Sequence, residues 1–488
     1  MKQTSCRSFD AAIIGSGFAG SILAGILSRH GMRVALIDVV RHPRFAIGES
    51  STPIADMLLR RLGERYAITE LVALSTWGRW QQSHPELAGG RKRGFTYFQH
   101  HADEPFSEQQ VGQNSLWVAA SKNDDVADTH WYRPDVDQFL FQLAVDAGAT
   151  DLSGHVVESI EQPTGQRTRL QCSSSDATHP DAITLNADWL IDASGQSGVL
   201  ARMRGCQDQV AELKTKSFAS FAHFRGVRRM SDWLETRGIE SSNPFDSDDA
   251  AQHHLLSHGW MWMLRMNNGI TSVGMTSPDP VSLDWSPYPT ICDLMSDAVP
   301  VEPPGVVSTG RRLQRWFDPV VGDRQLMLPT AALTLDPLHS TGIAHALAGV
   351  DRVARIVMEV NDSARSEQLN AYRVSFRREV QLLDRLVATA YATMSDFPCF
   401  TMACMLYFAA AIRCEERYQQ GEDPEALWNA DDAEFVRLVD WASQELTDVR
   451  KRGSSLDQRL RERLSPWNSA GLMDPAVHNR YAYTAATK

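Results

Sequence analysis

The chain has 488 residues, 43% of them apolar, which is enough for one large α/β unit plus an addition. Its formal charge of −12, from 48 basic and 60 acidic side chains, is a modest and dispersed acidic excess that argues against nucleic acid as a partner. Seven cysteines, an odd number with no C-x-x-C pair, point to buried thiols in a reduced, cytoplasmic protein.

The N-terminus passes from polar residues directly into a short apolar strand, without a secretory h-region. That strand is Ala11-Ala12-Ile13-Ile14. Gly15-Ser16-Gly17-Phe18-Ala19-Gly20 follows, a complete G-x-G-x-x-G. Ala19, Ile22, Leu23, Ile26 and Leu27 then fall on one face of a helix, and Gly31 ends it. Val34-Ala35-Leu36-Ile37 is a second strand, closed by Asp38 near the spacing of about 20 residues that a dinucleotide fingerprint requires. In that reading Gly15 permits the turn, Gly17 lets a pyrophosphate approach, and Gly20 lets helix and strand pack. Phe18 and Ala19 open the helix beside the cofactor, and Asp38 accepts hydrogen bonds from a ribose.

Further on, Trp131-Tyr132-Arg133-Pro134-Asp135-Val136-Asp137 leads into a helix over 138–147. Ala187 to Gly195 reads as a strand ending in the small-residue turn Asp192-Ala193-Ser194-Gly195. Both segments resemble the FAD-binding flavoprotein monooxygenase superfamily. The resemblance implies that Arg133 lies near the flavin, that Asp192 and Gly195 close over the dinucleotide, and that Asp323 and Asp336 mark a third flavin segment. It also implies a mixed α/β fold. A Rossmann-type FAD domain would span 1–360, with a substrate-binding β-sheet inserted at about 85–130 and 205–320. A helical C-terminal region would follow over 361–488. No second strand–GxGxxG–helix unit is present for a nicotinamide cofactor, so electrons are expected from a separate NAD(P)H-dependent flavin reductase.

Four strings resemble flavin-dependent halogenases more closely, those of the phenol and pyrrole branch. His42 to Pro53, containing Gly48-Glu49-Ser50-Ser51-Thr52-Pro53, is similar to a strap beside the flavin in that family, which places Glu49 and Ser50 at the cofactor. Gly259-Trp260-Met261-Trp262-Met263-Leu264 is similar to W-x-W-x-I-P, with Leu264 for Ile and Arg265 for Pro. The family reading makes Trp260 and Trp262 active-site aromatics; spacing alone equally fits a strand burying two rings in a core. Gly90-Arg91-Lys92-Arg93-Gly94 precedes an aromatic strand, and Lys92 matches the family's essential lysine. Read without the family, the basic triplet is a solvated loop.

The fourth string, Leu335 to Ile343, contains Ser340-Thr341-Gly342 at a helix start, where free amides gather anions. The resemblance places halide at Ser340, Thr341 and Gly342, with Gly342 and Ile343 also beside the flavin. His339 stands where tryptophan halogenases carry glutamate. It is either a base for a phenol or a loop histidine bonded to backbone. The implied reaction uses FADH2, O2 and chloride or bromide. Hypohalous acid formed through a flavin hydroperoxide is relayed by a lysine to an electron-rich aromatic ring, on a small molecule or a carrier-tethered substrate. A flavin-dependent hydroxylase of an aromatic ring, including a peptidyl tryptophan, is the first alternative; a non-catalytic flavin-binding scaffold is the second.

The remaining chain is read more coarsely. Thr164 to Ala182 and Glu235 to Ala251 are polar loops. His254 and His258 would share a face if helical, and they read as a surface pair rather than a metal site; no metal is expected. Helices are predicted over 364–390, 400–417 and 425–449. The longest apolar run, 400–412, is shorter than the ~20 residues of a membrane span and reads as a buried helix. The stretch from Ser465 to Tyr481 resembles the C-terminus of a bacterial subset of halogenases.

Overall fold

A computed structural model describes residues 6–485 except 164–165, 176–181, 240–242, 281, 359–360, 362, 449 and 451–454. The expected domain boundary at 360 and Val449 at a helix end lie outside the described residues.

The first strand, Cys6–Ile14, begins earlier than the apolar run suggests and lies at the centre of a parallel sheet. It pairs with Val34–Asp38 on one side and with Ala182–Asp192 on the other. Gln325–Met327 and Thr150–Ser153 extend the sheet outward, also in parallel. Every residue of Val34–Asp38 is buried, as expected for a strand covered on both faces. Helix Phe18–Arg29 covers one face and packs on helix Arg133–Asp146, which starts at Arg133 itself, with Pro134 in its first turn.

A second sheet of eight strands stands apart from the first. Its order runs Val299–Ser308, Phe218–Arg225, Thr271–Ser277, Gly259–Arg265, Ala250–Leu256, Gly94–Gln99, Ser115–Ala119 and Arg480–Tyr481. The last of these adds a strand to the expected helical C-terminal region, because the tail returns to pair with Ser115–Ala119. The longer helices there are Arg365–Thr393, Phe397–Gln419 and Ala433–Thr447, and a shorter one, Leu456–Leu464, follows. Phe397–Gln419 is apolar and long enough to cross a membrane by length and composition, but 83% of its apolar window is buried against the rest of the chain. It is a core helix.

Two expected loops are partly strand. Thr168–Ser174 pairs antiparallel with both His155–Glu161 and Ala182–Asp192. Ala250–Leu256 begins inside the second expected loop, and Met230–Thr236 is helical. His254 therefore lies on a strand, not a helix. It is fully buried, with Nδ1 2.9 Å from His100 Nε2, so the expected surface pair with His258 does not form.

Candidate active site

One large cleft, about 820 Å³, opens between the parallel sheet, the second sheet and the start of helix Gly342–Met358. It is lined by Gly15, Gly17, Phe18 and Ala19 of the glycine loop, by Asp38, and by the strap from Arg44 to Ser50. Arg133, Gly195, Asp336 and Ser340 to Ile343 complete the cofactor end, and Trp260 and Trp262 the aromatic end. Four expected site residues, Gly20, Asp192, Asp323 and Lys92, do not line it, and neither does His339.

The glycines divide by what surrounds them. Gly15 has φ +104°, and a Cβ there would lie 2.4 Å from the Ala193 carbonyl oxygen. A Cβ on Gly20 would meet Gly15 O at 2.0 Å. These two serve backbone packing. By contrast, a Cβ on Gly17 meets nothing closer than 3.5 Å, and one on Gly195 or Gly342 meets nothing within 4 Å. Gly195 and Gly342 face open space, and Gly17 has room for a methyl group beside Arg44 and Asp137. Asp38 fixes the loop: its Oδ2 accepts from Ser16 N at 2.8 Å and from Ser16 Oγ at 2.9 Å.

Asp192 lies behind the wall. Its oxygens accept the Ser194 and Leu200 amides at 2.8 and 2.7 Å, and so shape the turn that carries Gly195. Burial pushes its carboxyl above the usual range. Asp323 sits in the hairpin between Val321–Gly322 and Gln325–Met327, away from the cleft. Asp336 lines the cleft, where it accepts from Ser217 Oγ at 2.7 Å and Tyr391 Oη at 2.8 Å.

The two tryptophans share one face of strand Gly259–Arg265, with ring centroids 5.9 Å apart. Trp260 Nε1 donates to Tyr391 Oη at 3.0 Å. Trp262 lies over Gly274 of the neighbouring strand, where any Cβ would fall 2.1 Å from its ring. Arg265, the departure from the expected proline, points elsewhere: it binds Asp248 and the carbonyls of Val227 and Arg228.

The strap is held from several sides. Arg133 donates to the carbonyls of Ile47 and Gly48 at 2.9 and 3.0 Å while both Asp137 oxygens grip its other nitrogens. Ser340, at φ +53°, donates from Oγ to Ser50 Oγ at 3.1 Å. The strap also pairs with the strand Asp128–Trp131 through a bridge from Ser50 to His130.

Lys92 is on a strand, not in a solvated loop. Alternation along Gly89–Lys92 turns Arg91 out to Asp124 and Asp249 while Lys92 points in and is fully buried; Arg93, between the strands, also binds Asp124. Its Nζ donates to Ser51 O at 2.5 Å and lies 3.9 Å from the Phe95 ring centre. Around it stand buried imidazoles. His130 and His253 are both driven to about 3, by burial first, with the Lys92 charge adding to it. The sequence singles out neither residue.

His339 is fully buried and stacked on Tyr407, with ring centres 4.2 Å apart and planes within 4°. Burial pushes it to about 3, and His253 adds to that. Such a ring is a weak base at neutral pH, which weighs against the base alternative and for the packed loop histidine. Its backbone carbonyl accepts from Tyr407 Oη, so it packs beneath the loop that leads into helix Gly342–Met358.

Sequence reasoning also missed a buried group beside the strap. Glu49 Oε1 lies 2.8 Å from His223 Nε2, and His223 Nδ1 lies 3.6 Å from Glu302 Oε1, which also accepts from Tyr132 Oη. These four residues come from four segments far apart in the chain, so no local spacing could reveal them.

The cleft fits a flavin dinucleotide. Open space lies at Gly195 and Gly342, Gly17 leaves room for close approach, helix Phe18–Arg29 has no side-chain cap on its first amides, and Arg44, Arg133 and Arg202 supply positive charge. Fold and cleft together define an FAD-dependent oxidoreductase. A family model described as tryptophan halogenase matches residues 129–400, more than half of the chain. The chain belongs to that family, and it is an FAD-dependent halogenating enzyme that acts on aromatic rings with halide and O2 as co-substrates.

Among its relatives, the tetracycline 7-halogenase of Kitasatospora aureofaciens is 27% identical over 97% of this chain and 90% of that protein. The monodechloroaminopyrrolnitrin halogenase PrnC of Pseudomonas fluorescens is 26% identical over 80% of this chain and 69% of that protein. The halogenase PltM, solved with phloroglucinol and FAD, shares the fold at a TM-score of 0.83, with 23% identity over 98% of this chain and 100% of that one.

Proposed function

We propose that Lys92 delivers the halogen, and that the acceptor is a phenol- or pyrrole-type ring rather than free tryptophan. One observation carries the reading. Three consecutive strap residues face three ways: Ser50 lines the cofactor cleft, Ser51 O accepts the Lys92 ammonium, and Thr52 lines a second, small cavity. Lys92 thus stands where the strap separates the two spaces. The second cavity, about 20 Å³, is walled by Phe95, Val118, Tyr407, Phe408 and Ile412. Its walls are apolar and carry no counter-charge for a zwitterionic amino acid, which favours a neutral, electron-rich ring. It holds no more than a water as it stands, so the acceptor enters by widening it.

Bound flavin, once reduced, supplies hypohalous acid from O2 and halide. The protein's part is to hold that acid at Lys92 Nζ by a hydrogen bond, or as a haloamine, and to keep water out of the passage. Ser340, Thr341 and Gly342 hold the halide at the start of helix Gly342–Met358. Reduced flavin comes from a separate NAD(P)H-dependent flavin reductase. The names of the relatives support the acceptor class, since they include a tetracycline halogenase and a 1H-pyrrole-2-carbonyl carrier-protein brominase.

The test pairs Lys92→Ala with wild type, a flavin reductase, bromide, and a panel of phenols, pyrroles and indoles. Wild type should add bromine to a phenol or pyrrole, read by product mass. The variant should lose at least about 100-fold of halogenation while oxidising reduced flavin at the wild-type rate. Halogenation that survives in the variant rules out Lys92. A product heavier by oxygen alone makes the enzyme a hydroxylase.

A further inference from the structure

Glu49 is an acid in a cleft built for an anion. The cleft carries arginines for a dinucleotide pyrophosphate, yet Glu49 lines it and is only 3% exposed. A buried carboxylate beside an anionic guest is unfavourable unless a cation compensates it. Arg133 does so in part, but both Asp137 oxygens already hold its guanidinium.

The nearer partner is His223, on strand Phe218–Arg225 and fully buried. Its Nε2 is 2.8 Å from Glu49 Oε1, and its Nδ1 faces Glu302 on the edge strand at 3.6 Å. Tyr132, just before helix Arg133–Asp146, donates to that same Glu302 oxygen, and the Phe45 ring packs edge-on at 5.0 Å. Among the described residues, Glu49, Glu302 and Tyr132 are the charged and titratable groups facing the imidazole. Burial alone would lower the His223 pKa, but the bond and charge of Glu49, with Glu302 behind, outweigh it and raise it.

We propose that His223 is a positioning residue carrying the counter-charge of Glu49, so that protonation of His223 and binding of the anionic dinucleotide promote each other. In the neutral state Nε2–H still bonds Glu49, but the full negative charge of Glu49 remains at the cleft wall. A proton from solvent, added at Nδ1 toward Glu302, cancels that charge and ties the strap to the second sheet by a charge-assisted bond. Linkage makes the effect reciprocal: whatever tightens FAD when His223 gains a proton must raise the affinity of His223 for that proton when FAD binds. The proposal rests on the cleft as the FAD site and is independent of how halogen is delivered.

The experiment is calorimetric titration of FAD into apoprotein, in paired buffers of different ionisation enthalpy, between pH 6 and 9. Wild type should take up a fraction of a proton per FAD bound, and its affinity should weaken about fivefold from low to high pH. His223→Gln, which keeps a donor but cannot titrate, should show no uptake and a flat affinity. His155, His253 and His345 also line the cleft, and the difference between wild type and variant cancels whatever they contribute. Glu49→Gln, a second variant that leaves His223 intact, should also abolish the uptake by removing the charge to be compensated. Absence of uptake in wild type, or equal uptake in either variant, overturns the proposal.

Discussion

Gly15 and Gly17 are two positions apart in one loop and answer to different neighbours. At Gly15 the backbone is left-handed and the Ala193 carbonyl fills the space a side chain would need. Gly15→Ala should therefore cost about 3 kcal/mol of stability, combining backbone strain with overpacking, and lower the urea midpoint of the apoprotein. At Gly17 nothing blocks a methyl group until a cofactor arrives. Gly17→Ala should leave apoprotein stability within about 0.5 kcal/mol and weaken FAD binding at least about tenfold. Equal destabilisation by both changes would mean that the room at Gly17 serves the fold and not a ligand. The same contrast separates Lys92 from its flanking arginines: identical charge in sequence, yet Lys92 is fully buried while Arg91 and Arg93 stay partly exposed on carboxylates.

The strap is the element on which the site depends, and it holds almost no regular structure of its own. Its conformation is set by bonds from other segments: Arg133 on two carbonyls, Lys92 on Ser51, Ser340 on Ser50 and His223 on Glu49. Arg133→Lys tests this. A lysine can keep a charge contact with Asp137 but has no fork to reach two carbonyls as well. Unfolding free energy should change by less than about 2 kcal/mol, while amide exchange over 45–50 should speed up about tenfold. Unchanged exchange there would show that the strap does not need the arginine.

Local signals were readable where one short stretch contains all its partners, as in the glycine loop, where Ser16 meets Asp38. Strand Thr168–Ser174 was missed although its alternation is regular. Thr168, Leu170 and Cys172 face in, but Thr and Cys between Arg, Gln and Ser dilute the apolar signal. Strand Ala250–Leu256 was misread for the opposite reason: it is buried on both faces, and its polar residues are satisfied by distant groups such as His100 and Thr96 O. The Glu49–His223 contact spans 174 positions and leaves no trace in any window.

At the scale of the whole molecule, the question is how the C-terminal helices are coupled to the cofactor cleft. Helix Gly342–Met358 begins at the Ser340-Thr341 loop on the cleft wall and carries Arg352 three turns on. Arg352 binds Glu379 of helix Arg365–Thr393 at 2.6 and 3.1 Å, and Glu379 also accepts the Leu427 amide at 2.8 Å. His345, which lines the cleft, lies 3.0 Å from the other Glu379 oxygen. One fully buried carboxylate thus joins the cleft, the long helix and the segment leading into the last helices.

Burial alone would raise the Glu379 pKa, but the Arg352 charge and His345 overcome it and hold the pKa at about 2. A carboxylate with a depressed native pKa contributes stability above its unfolded value near ~4.5, and that contribution is lost as pH falls through about 2. Its size is on the order of 3 kcal/mol. Glu379→Gln should therefore lower stability at pH 7 by about that amount, since it also strands the buried Arg352. It should flatten the fall in stability between pH 5 and 2. FAD affinity should drop with it, because His345 loses the group that orients it at the cleft. Urea unfolding across that pH range, with FAD titration at pH 7, measures both. An acid limb as steep in the variant as in wild type would place the acid sensitivity elsewhere. Undiminished FAD binding would show that the helical region supports the fold without reaching the cofactor.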